Sequence, residues 1–160
     1  MKRLIVLSFF IAATFLGCAY TFTPKSTAPF KTIGIESFEN RTAEYGLTDR
    51  LTSIIADAFI KDGSMRVLPA DKAEATLRGT LLRYERQVAQ FDTTDQVEKY
   101  KVVLECEVSV HVVAGDSTLW TQTITQEGVY STATETEEIG QQRAGELLVQ
   151  AILNKTTKAW

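Results

Sequence analysis

The feature that most constrains this chain is a run of strict alternation in its second half. From Val102 to Val112 every second residue is apolar: Val102, Leu104, Cys106, Val108, Val110 and Val112. The residues between and after them, Val103, Glu105, Glu107, Ser109, His111 and Val113, are mixed. A period of two puts the first set on one side of an extended chain, so residues 97–113 are expected to form a long strand with one core face. At ~3.3 Å per residue this strand would run roughly 55 Å. The clearest helical stripe in the chain is Leu47, Leu51, Ile54, Ile55, Ala58 and Phe59. A helix over residues 47–62 spans only about 24 Å. Part of the hairpin built on the long strand should therefore project past its helical cover, with residues 87–100 as the tip. Val88, Phe91, Val97 and Tyr100 are the candidate partner contacts there.

The first residues are not part of the fold. Lys2 and Arg3 precede an apolar run over 4–16, interrupted only by Ser8 and Thr14. It is shorter than the ~20 residues a membrane-spanning helix needs, so it reads as a secretory signal peptide. It ends in Phe15-Leu16-Gly17-Cys18, which is similar to a bacterial lipobox with Phe15 where leucine is usual. Cys18 is thus the expected lipidation site, and several acyl chains on it would hold the protein stably on a membrane. Ala19, where an aspartate favours inner-membrane retention, points to the periplasmic face of the outer membrane. With Cys18 lipidated, Cys106 is the remaining cysteine, so no intramolecular disulfide forms. The expected organisation is a signal peptide over 1–17, a lipidated N-terminus and tether over 18–29 containing Pro24 and Pro29, and one domain over 30–160. The signal carries two of the 17 basic residues and none of the 20 acidic ones. The mature chain is therefore acidic on balance, which excludes nucleic acid as a partner.

Around the long strand the remaining elements fall into a simple order. Residues 30–35 form a first strand and 36–42 a polar turn. The helix over 47–62 stops at Gly63, and a short strand over 65–68 ends at Pro69. Strand, helix and strand make a right-handed crossover, so the two strands are parallel neighbours or near neighbours. Residues 75–90 form a strand whose apolar parity changes near Leu81 and Leu82, which calls for a bulge. Residues 118–130 complete an antiparallel meander. Residues 134–160 contain the closing helix, with Thr134 and Glu137 in the spacing of a capping box. The expected fold is α+β: a two-layer sandwich in which two amphipathic helices cover one face of a mixed sheet of four to five strands.

Catalytic patterns are missing. The chain has one histidine, His111, no paired CxxC, no HExxH, no glycine-rich phosphate loop and no GxSxG. No enzyme activity, metal site or cofactor is expected. The hairpin instead carries Arg78, Arg83 and Arg86 before its turn and Lys99 and Lys101 after it. Cations beside apolar tip residues suit an anionic amphiphile, and these five are its candidate binding residues. A charged sheet edge that blocks unwanted pairing is the competing reading, with Glu85, Glu98 and Glu105 diluting the field.

The order of these segments resembles the lipopolysaccharide-assembly lipoprotein family, LptE. The resemblance rests on Cys18-Ala19-Tyr20, residues 30–35 leading into Phe38-Glu39-Asn40-Arg41-Thr42, and Leu47 with Arg50-Leu51-Thr52. It continues through Asp62-Gly63, residues 70–86, residues 100–112, Leu119-Trp120 and the final Ala159-Trp160. It implies a protein that sits partly inside the lumen of a large outer-membrane barrel of the LptD type. Such a protein plugs the barrel, helps assemble it, and assists delivery of lipopolysaccharide to the cell surface. Segments like residues 38–42 also occur in lipoprotein activators of periplasmic cell-wall synthases, the alternative function.

Overall fold

The computed structural model describes residues 28–158; the expected signal peptide, the expected lipidation site Cys18, the expected tether up to residue 27 and the final Ala159-Trp160 lie outside the described residues. The elements are β1 (Thr32–Ile35), β2 (Glu39–Asn40), α1 (Leu47–Asp62), β3 (Arg66–Val67), β4 (Ala75–Phe91), β5 (Val97–Val112), β6 (Ser117–Ser131) and α2 (Glu137–Lys158). Short 3₁₀ turns occupy Ala70–Lys72 and Val113–Gly115. The sheet order is β3-β1-β4-β5-β6, with β2 paired to β4. β1 lies parallel between β3 and β4, and β4, β5 and β6 form the antiparallel meander. Among the described residues no helix is long and apolar enough to cross a membrane.

Local chemistry explains where the elements stop. Leu47, Leu51, Ile55 and Phe59 recur at helical spacing and are all buried. Gly63 ends α1 at φ 67°, with its N–H donated to the Phe59 carbonyl at 3.2 Å. Only a residue without a Cβ adopts that left-handed conformation without penalty. Along β5, Val102, Leu104, Cys106, Val108 and Val110 have no exposed surface. They join Ile33 of β1, Leu77 and Leu81 of β4, and Leu148 and Ile152 of α2 in a single core cluster with the α1 stripe. Both helices therefore cover the same face of a mixed sheet, as the amphipathic patterns predict.

Two local expectations are corrected. Residues 36–42 are not simply a turn, because Glu39 and Asn40 pair with Thr80 and Leu81 of β4, adding a sixth short strand to the sheet. Phe38, just before them, is drawn in because Gly79 leaves room for its ring; a Cβ at Gly79 would lie 2.1 Å from it. The Thr134–Glu137 capping box does not form, since α2 begins only at Glu137. The Glu137 carboxylate instead reaches across to the Tyr84 hydroxyl and, at 3.2 Å, to Arg86.

The second helix is seated by glycines. A Cβ on Gly128 of β6 would stand 1.9 Å from the Gly140 carbonyl oxygen of α2, and one on Gly140 would meet Tyr130 and Gly128. Helix and strand thus touch backbone to backbone. The mid-helix Gly140 costs roughly 1 kcal/mol of helix propensity, which this close approach offsets.

Candidate functional site

The register of β4 with β5 locates every candidate residue. Leu81 pairs with Cys106, and the next pair is Arg83 with Glu105, so Leu82 is the extra residue of a bulge at the expected place. The bulge reverses parity along β4. Before it, Leu77 and Leu81 face the helices and Arg78 faces away. After it, Tyr84, Arg86 and Val88 share the helix side with their partners Leu104, Val102 and Tyr100. Arg83, Lys99 and Lys101 lie on the opposite, helix-free face.

The five basic candidates are therefore not one cluster. Arg78 pairs with Glu36 at 3.0 Å, Arg83 with Glu105 at 3.0 Å and Glu85 at 3.4 Å, and Lys101 with Glu127 at 2.7 Å. Arg86 stands alone on the helix side, bonded to Glu137 and lying 4.8 Å over the Tyr100 ring. Its guanidinium is held above its ordinary value by a hydrogen bond to Tyr130 and by the Glu137 charge. Among the described residues, Lys99 alone of the five has no carboxylate at ion-pair distance.

The apolar candidates divide in the same way. Val88 is 41% exposed and Phe91 56% exposed, whereas Tyr100 packs against the core and stacks on Tyr130 with ring centres 6.0 Å apart. Phe91 pairs with Val97 at the end of the ladder. The ladder shifts again on either side of Gln90, which pairs with Lys99, so Glu98 is an extra residue and Val97 does not continue the face that carries Lys99 and Lys101. Val129 of β6, opposite Lys101 and 41% exposed, adds an apolar group beside them. The tip turn is firmly built: Asp92 accepts hydrogen bonds from the Thr94 N–H at 2.7 Å and the Gln96 N–H at 3.0 Å. These bonds, led by that from the Thr94 hydroxyl, hold its carboxyl below the usual range.

Where the arm leaves the core, a polar clamp fixes it. The Tyr84 hydroxyl donates to Glu137 and accepts from the Gln141 side-chain amide at 2.9 Å. Gln141 also donates to Glu44 at 3.1 Å and accepts from Arg50 at 2.9 Å. The clamp thus joins β4, α1, α2 and the loop before α1. Burial raises the Tyr84 phenol well above its ordinary value, and the neighbouring carboxylates push the same way. Sequence reasoning did not find this set. Its members are 97 residues apart at the extreme, and the only local sign was the parity change at Leu82.

Other singled-out groups have local roles. His111 lies 3.0 Å from Asp116, and Cys106 is buried on the core face, where desolvation pushes its thiol up to about 12. Asn40 accepts the Thr42 N–H at 2.8 Å and donates to the Glu44 carbonyl at 2.7 Å. The Phe38 to Thr42 segment is thus used to build β2 and the turn after it. Among the described residues, no three metal-ligating side chains gather.

Fold and arm together define a class: a two-layer α+β domain that presents a long hairpin beyond its helices. The model of the lipopolysaccharide-assembly family, LptE, matches residues 30–156, and the chain belongs to that family. It is a family of non-enzymatic lipoproteins. No curated protein matches the chain significantly. Among solved structures, PelC from Paraburkholderia phytofirmans, a dodecamer, is similar at TM-score 0.61 and 16% identity, covering 84% of this chain and 94% of that one. A hypothetical protein of Chlamydia trachomatis matches at TM-score 0.59 and 9% identity, over 82% and 99% of the two chains. Uncharacterized lipoprotein B from Nitrosomonas europaea matches at 0.57 and 16%, over 81% and 84%. At these identities the likeness is one of fold.

Proposed function

We propose that this protein is a lipid-anchored lipoprotein on the periplasmic face of the outer membrane, the plug and assembly partner of an LptD-type barrel. In this role it helps deliver lipopolysaccharide to the cell surface. Residues 1–17 direct export, Cys18 carries the lipid, and residues 18–29 tether a domain that starts at residue 30. The observation that carries the reading is the bare arm on a domain of the lipopolysaccharide-assembly family. Val129 lies beside Lys99 and Lys101 on a face no helix covers, and Phe91 stands exposed at the end of the same arm. That combination suits a phosphate-bearing amphiphile, with cations for the phosphates and apolar side chains for the acyl region. The ion pairs on the face are no obstacle, because an exposed pair is worth about 0–1 kcal/mol and can be exchanged for a phosphate.

The test is a mild-detergent pull-down of the full-length lipoprotein from its own membranes, identifying bound proteins and glycolipid together. A stoichiometric large barrel with lipopolysaccharide supports the reading. Lys99→Glu with Lys101→Glu should then lower the glycolipid yield while leaving the barrel bound. Recovery of a cell-wall synthase without a barrel would overturn the proposal in favour of the activator function.

A further inference from the structure

The two edges of the sheet are built on opposite plans. One ends in the two-residue strand β3, with the two-residue β2 at its side. The other is β6, 15 residues long, which among the described residues pairs only with β5. Long free edges invite foreign strands, and monomeric proteins usually blunt them with lysine, proline or brevity. β6 has none of these; its sequence STLWTQTITQEGVYS holds a single charge, Glu127, and is rich in threonine.

A groove of about 500 Å³ lies along this strand, lined by residues 122–126 of β6 and by Ala151, Asn154 and Lys155 of α2. Alternate residues alone would line a cavity over one face of a strand. Here five consecutive residues do, so the groove follows the backbone edge. Ile124, which is buried, and Ala151 give it an apolar floor. Lys155 stands at its rim, with no carboxylate at ion-pair distance among the described residues.

We propose that the groove between β6 and α2 is a strand-addition site for an extended segment of a partner polypeptide that carries an acidic residue. The outward N–H and C=O groups of β6 can be matched in series only by another extended chain. Alternate side chains of that chain would fall toward Ile124 and Ala151. A second copy of this protein fits badly: two-fold antiparallel pairing about Ile124 would bring both Lys155 ammonium groups into one groove. An acidic residue from a different polypeptide complements that charge. The site does not depend on the barrel reading. In a closed barrel wall every strand edge is already paired, so the segment would be a loop or a chain terminus of the partner.

The test uses the full-length chain in detergent and two nine-residue peptides of alternating valine and threonine, one with a central glutamate and one with a central lysine. Fluorescence anisotropy reads affinity, and amide exchange at residues 121–127 reads strand addition. The glutamate peptide should bind about tenfold tighter, and Lys155→Glu should reverse the preference, as expected when one rim charge sets the selectivity. Binding should slow exchange of the outward β6 amides. Equal binding of both peptides, or no saturable binding at millimolar peptide, would overturn the proposal. So would peptide-independent dimerisation that protects the same amides. Lys155→Met, which keeps the stem and removes the charge, should abolish the preference while leaving the circular dichroism spectrum unchanged.

Discussion

The two halves of the β4–β5 hairpin share the same two strands, yet differ in what lies on them. In the half nearest the first strand, Leu77, Leu81, Cys106, Val108 and Val110 are completely buried. In the far half, Val88 and Phe91 are exposed and Arg83, Arg86 and Lys101 stand in ion pairs. The alternating pattern makes a strand of both; helix reach makes a core of only one. The core continues past the bulge at Leu82 through Leu104 and Val102, and by reversing parity the bulge turns Tyr84 and Arg86 toward α2, where they anchor the arm. One half supports the fold, and the other is left free to meet a partner.

The comparison can be broken most severely at the place where α2 seats on the meander. Gly128→Val would drive side-chain atoms into the Gly140 backbone, and a loss of more than about 4 kcal/mol is expected, enough to unfold a marginal domain. A cooperative thermal transition near that of the wild type would show that α2 can leave β6 freely. Next comes a paired test of the two halves. Leu104→Ala should cost about 2–5 kcal/mol in denaturant unfolding, as buried leucines do. Phe91→Ser at the tip should stay within about 0.5 kcal/mol while weakening capture of the partner. Equal losses would erase the distinction between core and arm.

A smaller effect is expected where the arm is anchored. Tyr84→Phe removes the hydroxyl that Glu137 and Gln141 share, and about 1–2 kcal/mol should be lost with the core intact. Hydrogen exchange should then quicken in the arm before it quickens in residues 106–112. The smallest effect concerns pH. Glu135 is held below its ordinary value by Arg143 and by the Ser131 N–H, so its contribution is complete above the usual carboxylate value of 4.5. It is lost as pH falls through the lower, folded value. The melting temperature of the wild type should therefore drop further between pH 7 and pH 3 than that of Arg143→Gln. Parallel profiles would remove this pair from the account of how α2 starts.

Much of the design was legible from the residues. The alternation of Val102 to Val112 fixed a core face, the stripe from Leu47 to Phe59 fixed α1 and its glycine stop, and the parity change at Leu81 and Leu82 announced the bulge. These signals are local, because backbone geometry repeats every two or 3.6 residues and writes itself into the spacing of apolar side chains. The five hairpin cations were also visible, but their division between two faces followed from counting residues across a bulge. The role of Glu137 was misread for a similar reason: a spacing matched a cap, while a tyrosine hydroxyl 53 residues away in sequence competed for the same carboxylate.

By itself, then, the sequence determined the strands, the helices, the layer they bury, and the family to which the chain belongs. The tertiary structure alone decided the pairing of β2, the seating of α2 on Gly128, the clamp around Tyr84, and the contrast between a blunted edge and an open one. Those features join residues tens of positions apart. No periodicity records such contacts, because they depend on how close two backbones come and on which polar groups then find one another.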